Sequence, residues 1–293
     1  MEQYTLPQGT FSCLEQKNGR YCIAGYEGKA GELSIPPQMG AFPVTAIGKK
    51  AFWGNSYLRH VLLPDTIEEV GDWAFSGCSA LHTVKMNGQK ILFGNHVFQK
   101  TEHLREISFA GSSPAVNRLL AAAVTILGAE YLLDPLAAGT DSWYHSLDAR
   151  ILTFIKESED SVLKELVYCA EEDMMAKQEA CLRKQAHEKA RIAFLRLAYS
   201  DKIADDMFEE LAEYLRRRTI GCAEQTAWEV VRETTDDQKS YCDILLKTGA
   251  IHTDNFQKAL DDLGEEAVEL KAYLLKKKQD RIQKKALWES LEL

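Results

Sequence analysis

From Ala46 to Ala110 the pattern of apolar and polar positions repeats every 23 residues. Three segments align without gaps: AIGKKAFWGNSYLRHVLLP from Ala46, EVGDWAFSGCSALHTVKMN from Glu69 and LFGNHVFQKTEHLREISFA from Leu92. Gly48, Gly71 and Gly94 share a column, as do Phe52, Phe75 and Phe98, then Leu58, Leu81 and Leu104, then Val61, Val84 and Ile107. Within each copy Val61 and Leu63, Val84 and Met86, and Ile107 and Phe109 alternate with polar neighbours. That period of two predicts one short strand per copy. The Ala51-Phe52 and Ala74-Phe75 pairs belong to the return segment and are expected to insert rings into a shared core. The recurring glycine before them is expected to turn the chain at φ > 0. Asn55, Cys78 and Thr101 share a column suited to tying down the turn. One copy cannot bury its apolar face alone, so the copies must stack.

A period of 20–29 residues with leucine-type columns marks leucine-rich repeats. The stretch from Tyr21 to Phe52 narrows the class. Gly25-Tyr26-Glu27-Gly28 reads as a turn, Ile35-Pro36 as a strand end, and Val44-Thr45-Ala46-Ile47-Gly48 leads into Ala51-Phe52, while Leu63-Pro64 repeats the strand ending. On these motifs residues 21–109 resemble the BspA-like, Treponema-type leucine-rich repeats. The resemblance implies a parallel-sheet solenoid preceded by a β-hairpin cap, and it carries the family's adhesin role as one functional alternative. The third copy departs from the pattern, with Val97-Phe98 in place of Ala-Phe and no proline ending its strand. It reads as the terminal repeat.

Beyond Phe109 the period changes to 3.6. Ser112-Ser113-Pro114 is a helix-start signal with proline near the first helical position. Leu119, Ala122, Ala123 and Ile126 then share a face, and Leu152, Ile155, Leu163, Leu166 and Val167 continue the pattern across Glu157-Ser158-Glu159. A long charged helix is expected from Met174 to Leu197, and no strand. Glu213-Tyr214-Leu215-Arg216, Asp243-Ile244-Leu245-Leu246 and Ala272-Tyr273-Leu274-Leu275 recur at about 30 residues. Gly249 is placed as a helix C-cap and Thr253-Asp254-Asn255 offers an N-cap. Helix, glycine turn and helix at this spacing resemble a degenerate ankyrin-like or other helical-hairpin array, although the ankyrin Thr-Pro-Leu-His signature is missing; an irregular bundle is the alternative. The expected fold is therefore α+β: a short leucine-rich-repeat solenoid over residues 1–112, with its N-terminal cap, followed by an all-α array over 113–293.

Charge follows the same division. The 293 residues carry a formal net charge of −9. Residues 1–112 hold ten basic and ten acidic side chains, whereas 113–293 hold 25 and 34. An acidic chain lacks the clustered Lys/Arg excess that phosphate contacts need, so no nucleic-acid partner is expected. The run Lys276-Lys277-Lys278 through Arg281 to Lys284-Lys285 is the one basic stretch. With Leu287, Trp288 and Leu291 at helical spacing after it, it reads as a solvated last helix docking by an apolar stripe. No run approaches 18 apolar residues, so no membrane span is expected. Seven dispersed cysteines without a Cys-x-x-Cys pair, and a start lacking a basic region followed by an apolar run, point to a reducing cytoplasm.

Motifs for chemistry are missing. There is no phosphate-binding Gly-x-x-x-x-Gly-Lys loop, no Gly-x-Ser-x-Gly elbow, no His-Glu-x-x-His pair and no Gly-x-Gly-x-x-Gly. No metal and no cofactor are expected: His60 and His82 lie in different columns without ligand-spaced partners, and His187 on the charged helix is expected to be solvated. Cys169 is isolated. The expected function is a non-catalytic adaptor binding a protein partner, with a regulatory subunit or enzyme using the helical part as the alternative to the adhesin. Alternation places His60, Leu62, Thr83, Lys85, Glu106 and Ser108 on the exposed face of the small sheet. Trp53 and Trp73, flanking the Ala-Phe pairs, are further contact candidates, since tryptophan is favoured at interface hot spots; shielding of the convex side is their alternative role.

Overall fold

A computed structural model describes residues 1–88, 90–158 and 174–291 of the chain. The expected helical positions Leu163, Leu166 and Val167, together with Cys169, lie outside these residues, as do the side chains of Lys284, Lys285, Leu287, Trp288 and Leu291.

The chain opens with an antiparallel meander of β1 (Glu2–Leu6), β2 (Gly9–Gln16) and β3 (Arg20–Glu27). It then winds as a solenoid. β4 (Glu32–Ser34), β7 (His60–Leu63), β9 (Thr83–Met86) and β11 (Glu106–Phe109) form one wholly parallel sheet. β6 (Phe42–Ile47), β8 (Glu69–Val70) and β10 (Leu92–Phe93) continue the meander sheet in parallel from β3, while β5 (Gln38–Met39) pairs antiparallel with β6. The register repeats the sequence period: Val61 pairs with Val84 and Val84 with Ile107.

The apolar columns fill the space inside the coil. Val61, Leu63, Val84, Met86, Ile107 and Phe109 all point inward and are buried. Rings from the return segments stack along the axis: Phe52 on Phe75 at 4.9 Å and Phe75 on Phe98 at 5.7 Å, nearly parallel in both cases. Tyr26 extends the column at 5.3 Å from Phe52, and Phe11 extends it into the meander at 5.1 Å. The Asn55/Cys78/Thr101 column ties the turns as expected. Asn55 Oδ1 accepts the Tyr57 and Leu58 amides, Cys78 donates to the Phe52 carbonyl, and Thr101 donates to the Phe98 carbonyl.

The glycine column works differently from the sequence expectation. Gly48, Gly71 and Gly94 are not at positive φ. They are needed because neighbouring turns approach too closely for a side chain: a Cβ at Gly71 meets Lys49 N at 2.8 Å, and one at Gly94 meets Asp72 N at 2.6 Å. The left-handed turns come later, at Lys50, Trp73 and His96 and again at Gly54, Gly77 and Lys100. They aim alternate amides along the axis. Lys50, Phe52 and Gly54 donate to Asp72, Ala74 and Ser76, and Trp73, Phe75 and Gly77 to Asn95, Val97 and Gln99, all at 2.8–3.0 Å.

Secondary structure changes at the Ser112–Pro114 join. Helix α1 (Pro114–Thr125) starts on proline, and the Ser113 hydroxyl accepts the Val116 amide. It packs on β11, where Asn117 donates to Glu106, and so closes the last rung. A 3-10 turn (Glu130–Leu132) and α2 (Asp141–Lys156) follow; Glu130 accepts the His96 amide and Trp143 Nε1 donates to the Leu132 carbonyl. The compact units accordingly divide beyond the expected boundary at 112, into Met1–Phe154 and Ile155–Leu293, because these helices cap the solenoid. Brief elastase treatment is expected to leave the bonds of residues 110–114 intact, Ser112 being hydrogen-bonded to Phe109 in both directions. Fragment masses ending at Ala110 would show the cap to be loose.

The second unit holds α3 (Met174–Ala198), α4 (Asp205–Arg216), α5 (Thr226–Glu233), α6 (Gln238–Lys247), α7 (Thr253–Asp262) and α8 (Val268–Leu291), with no strand among its described residues. The long charged helix runs where its sequence placed it. Helix α3 packs against α4, α5 and α6, with Phe194 stacked on Tyr241 at 4.5 Å. The 30-residue recurrence falls on alternate helices, and its core position is Leu215 of α4, Leu245 of α6 and Leu274 of α8, all fully buried. Gly249 caps α6 at positive φ. The following cap sits one residue earlier than expected: His252 is the N-cap, its amide donating 2.8 Å to Asn255 Oδ1, and Thr253 is already helical.

Candidate functional site

The exposed side of the β4–β7–β9–β11 sheet carries two rows of side chains running along the solenoid axis. The register sets Glu32, His60, Thr83 and Glu106 side by side in the first row, and Ser34, Leu62, Lys85 and Ser108 in the second. These positions alternate with buried neighbours on every strand. All six strand positions singled out in the sequence are therefore brought onto one face. The mixture is polar, with Leu62 as its apolar point and Glu106 held by Asn117 at 3.1 Å.

A histidine line borders this face. His82 stacks parallel on His103 at 5.8 Å, and its ring centroid lies 6.5 Å from that of His60. His103 carries no repeat signal, because it sits two residues upstream of the His82 column, outside the 23-residue register. Among the described residues no group of three His, Cys, Asp or Glu side chains could hold a metal ion.

Trp53 and Trp73 do not join these rows. They stand on the return segments, next to the buried Phe52 and two residues before the buried Phe75. Trp53 is 61% exposed. Lys50 Nζ lies 5.4 Å from the Trp53 ring, Lys49 Nζ lies 4.9 Å from the Trp73 ring, and His96 stacks on Trp73 at 5.7 Å. Lys49, Lys50 and His96 match no binding motif, and their one signal in the sequence is that Lys50, Trp73 and His96 occupy equivalent positions of the 23-residue period. Beside them a hollow of about 230 Å³ follows the glycine column, lined by Gln16, Cys22, Lys49, Glu69 and Asp72 with the backbone of Gly48, Gly71 and Gly94.

His187 corrects another expectation. Rather than being solvated, it is largely buried, with Nε2 2.8 Å from Glu229 and Nδ1 3.3 Å from Glu233. A charged helix surface predicts exposure, but α5 presents two carboxylates one turn apart that close over the ring. An open hollow of about 380 Å³ adjoins them, lined by Arg183, Glu229, Arg232, Glu233 and Gln238 with Leu263 and Ala267. Both imidazole nitrogens face carboxylates, so neither is directed at a substrate.

The buried thiols are quiet. Desolvation pushes the Cys78 and Cys242 thiols up to about 12 and Cys13 to about 11. Neutral thiols in the fold then favour folding fully below the ordinary thiol value near 9, and the contribution is lost as pH rises toward 12. In residue-resolved alkylation at pH 8, Cys78 and Cys242 are expected to stay unmodified in the native protein and to react once urea unfolds it. Native labelling of either would show that burial does not control them.

These parallel rungs, inward apolar columns and tied turns define a leucine-rich-repeat solenoid. Residues 32–119 match the family described as "BspA type Leucine rich repeat region", in six copies, and form such a region here. No curated protein sequence matches the chain. Among solved structures it is similar to a Leucine Rich Repeat protein of T. pallidum, at 27% identity and a TM-score of 0.30, over 34% of this chain and 47% of that one. A leucine rich cell surface protein of Faecalibacterium prausnitzii A2-165 is 25% identical at a TM-score of 0.32, over 37% of this chain and 30% of that one. A leucine-rich repeat protein of Bacteroides capillosus is 18% identical at a TM-score of 0.29, over 37% and 99%. The chain thus spans about half the length of the first of these and under a third of the second. No helix among the described residues is long and apolar enough to cross a membrane.

Proposed function

We propose that the chain is a non-catalytic adaptor that binds a protein partner through the exposed strand rows, with the helical array as a second contact element. The observation that supports this is the two-row face: six side chains on three parallel strands, alternating with positions buried in the core, with Glu106 at its edge held by Asn117 of α1. A rigid platform of this kind binds without ordering cost in the backbone. The recurring helix pairs, with their weak ankyrin-like resemblance, fit the same reading. The unpaired thiols of the described cysteines are consistent with work in a reducing cytoplasm.

The test is capture of partners from the native host by the full chain and by a Leu62→Glu/Lys85→Glu variant. Loss of the same set of partners in the variant is expected; unchanged capture would remove the sheet face from the function. The adhesin alternative carried by the family resemblance is separated by cell fractionation, because recovery of the intact protein at the cell surface overturns the cytoplasmic placement.

A further inference from the structure

The return segments form a second surface, distinct from the strand rows. We propose that this ridge docks an acidic polypeptide segment bearing apolar side chains, with Trp53 as the anchor and Lys49 and Lys50 receiving its carboxylates. The proposal is independent of the strand-face reading.

It starts from the backbone. The left-handed turns at Lys50, Trp73 and His96 are required by the axial hydrogen bonds that the Lys50 and Trp73 amides make, but the residues filling them are not the ones such turns favour. Glycine and asparagine take positive φ readily, whereas a bulky side chain does so at a cost. Here the column holds Lys, Trp and His, one behind the other on successive rungs, so their rings and ammonium groups come together on the outside of the coil. Such outliers are a reason to look for function rather than a proof of it.

Charge names the ligand. In the helical unit many cations are matched internally, Arg216 and Arg217 with Glu213, Arg218 with Glu224, Arg232 with Asp262 and Lys277 with Asp243, while Lys247 and Lys278 lie over the Phe208 and Phe256 rings. On the ridge, Lys49 and Lys50 lie over indole rings and, among the described residues, carry no ion pair. Of the nearby carboxylates, Asp72 accepts the Asn95 amide and Glu130 the His96 amide, while Glu69 lines the adjoining hollow without pairing with either lysine. Lys50 beside the exposed Trp53 indole and Lys49 over the adjoining Trp73 complement a strand or helix that alternates acidic and apolar side chains, since tryptophan is a preferred hot-spot residue and complementary charge sets register. Single-stranded nucleic acid is disfavoured, because successive bases need open ring faces and the Trp73 ring is already covered by His96 and the two lysines.

The probe is a random 12-residue peptide display library panned against the full chain, with counter-selection on Trp53→Ala and on Lys49→Ala/Lys50→Ala. Trp53 and both lysines point outward, so these variants are expected to fold, which circular dichroism checks. The expected result is enrichment of acidic peptides with interspersed apolar residues, whose synthetic versions bind at least about tenfold more weakly to each variant and equally well to Leu62→Glu/Lys85→Glu. Enriched peptides without an acidic excess, or binding that ignores Trp53 and the lysines, would overturn the proposal. So would Trp53-dependent binding of phosphatidylserine vesicles or of single-stranded DNA in the absence of acidic peptides. Loss of peptide binding in the strand-face variant alone would transfer the site to the sheet.

Discussion

Phe75→Ala is expected to lower the unfolding free energy of the solenoid by about 3–5 kcal/mol. Phe75 is fully buried and is the middle ring of a stack, with Phe52 on one side and Phe98 on the other. Removing it opens a cavity that a one-sided contraction cannot close, because the rung spacing is fixed by backbone bonds from Phe52 to Ala74 and from Phe75 to Val97. Both neighbouring rings also lose a parallel partner, worth about 0.5–1.5 kcal/mol beyond area. The measurement is native-state hydrogen exchange of peptides spanning 60–109, which isolates the solenoid from the helical unit. Leucine at the same position retains volume and is expected to recover more than half of the loss. A loss for alanine of under about 1 kcal/mol would mean that the rungs collapse independently of the stack.

The second large effect distinguishes two roles for glycine. Gly71→Ala is expected to destabilise by about 3 kcal/mol or more, at the upper end of overpacking costs, since its methyl group meets only backbone: Lys49 N at 2.8 Å, Gly48 C at 3.1 Å and Ile47 O at 3.2 Å. Backbone of the preceding turn cannot rotate aside as a side chain can. Gly54→Ala meets nothing within 4 Å and is limited to the conformational cost of φ +72°, about 1–2 kcal/mol. The third copy already places Lys100 in that slot at φ +59°, so a side chain there is tolerated. Urea titration of both variants, followed by the same exchange peptides, ranks them. Equal losses, or a larger one at Gly54, would show that conformational freedom, and not close approach, fixes the 48/71/94 column.

That column illustrates what the sequence could and could not convey. A 23-residue recurrence of glycine is visible without coordinates, because stacking imposes the same constraint on every rung. Which constraint it is depends on the distance between turns, and no spacing reports that. The strand rows were legible for the opposite reason: alternation of buried and exposed positions is a local rule, so His60, Leu62, Thr83, Lys85, Glu106 and Ser108 fall on one face as soon as the strands are placed. Trp53 and Trp73 carried no such rule, and their separation from the rows followed only from the path of the return segment. The burial of His187 has no local signal, because its two carboxylates are more than 40 residues away on another helix. That the first compact unit runs on to Phe154 was hidden in the same way, since the bond from the His96 amide to Glu130 joins residues 34 apart.

The axial hydrogen bonds described above also determine how the solenoid responds to force. Bonds between successive rungs point along the stacking direction, so tension applied across its two ends loads them a rung at a time. The rings of Phe52, Phe75 and Phe98 separate in the same order. Extension is therefore expected to peel one 23-residue coil after another instead of shearing a whole sheet at once, with each coil lengthening the chain by the same increment. At one end the sequence of events starts against α1, at the other against the antiparallel meander, and the relative hold of these two caps decides from which side the unwinding begins.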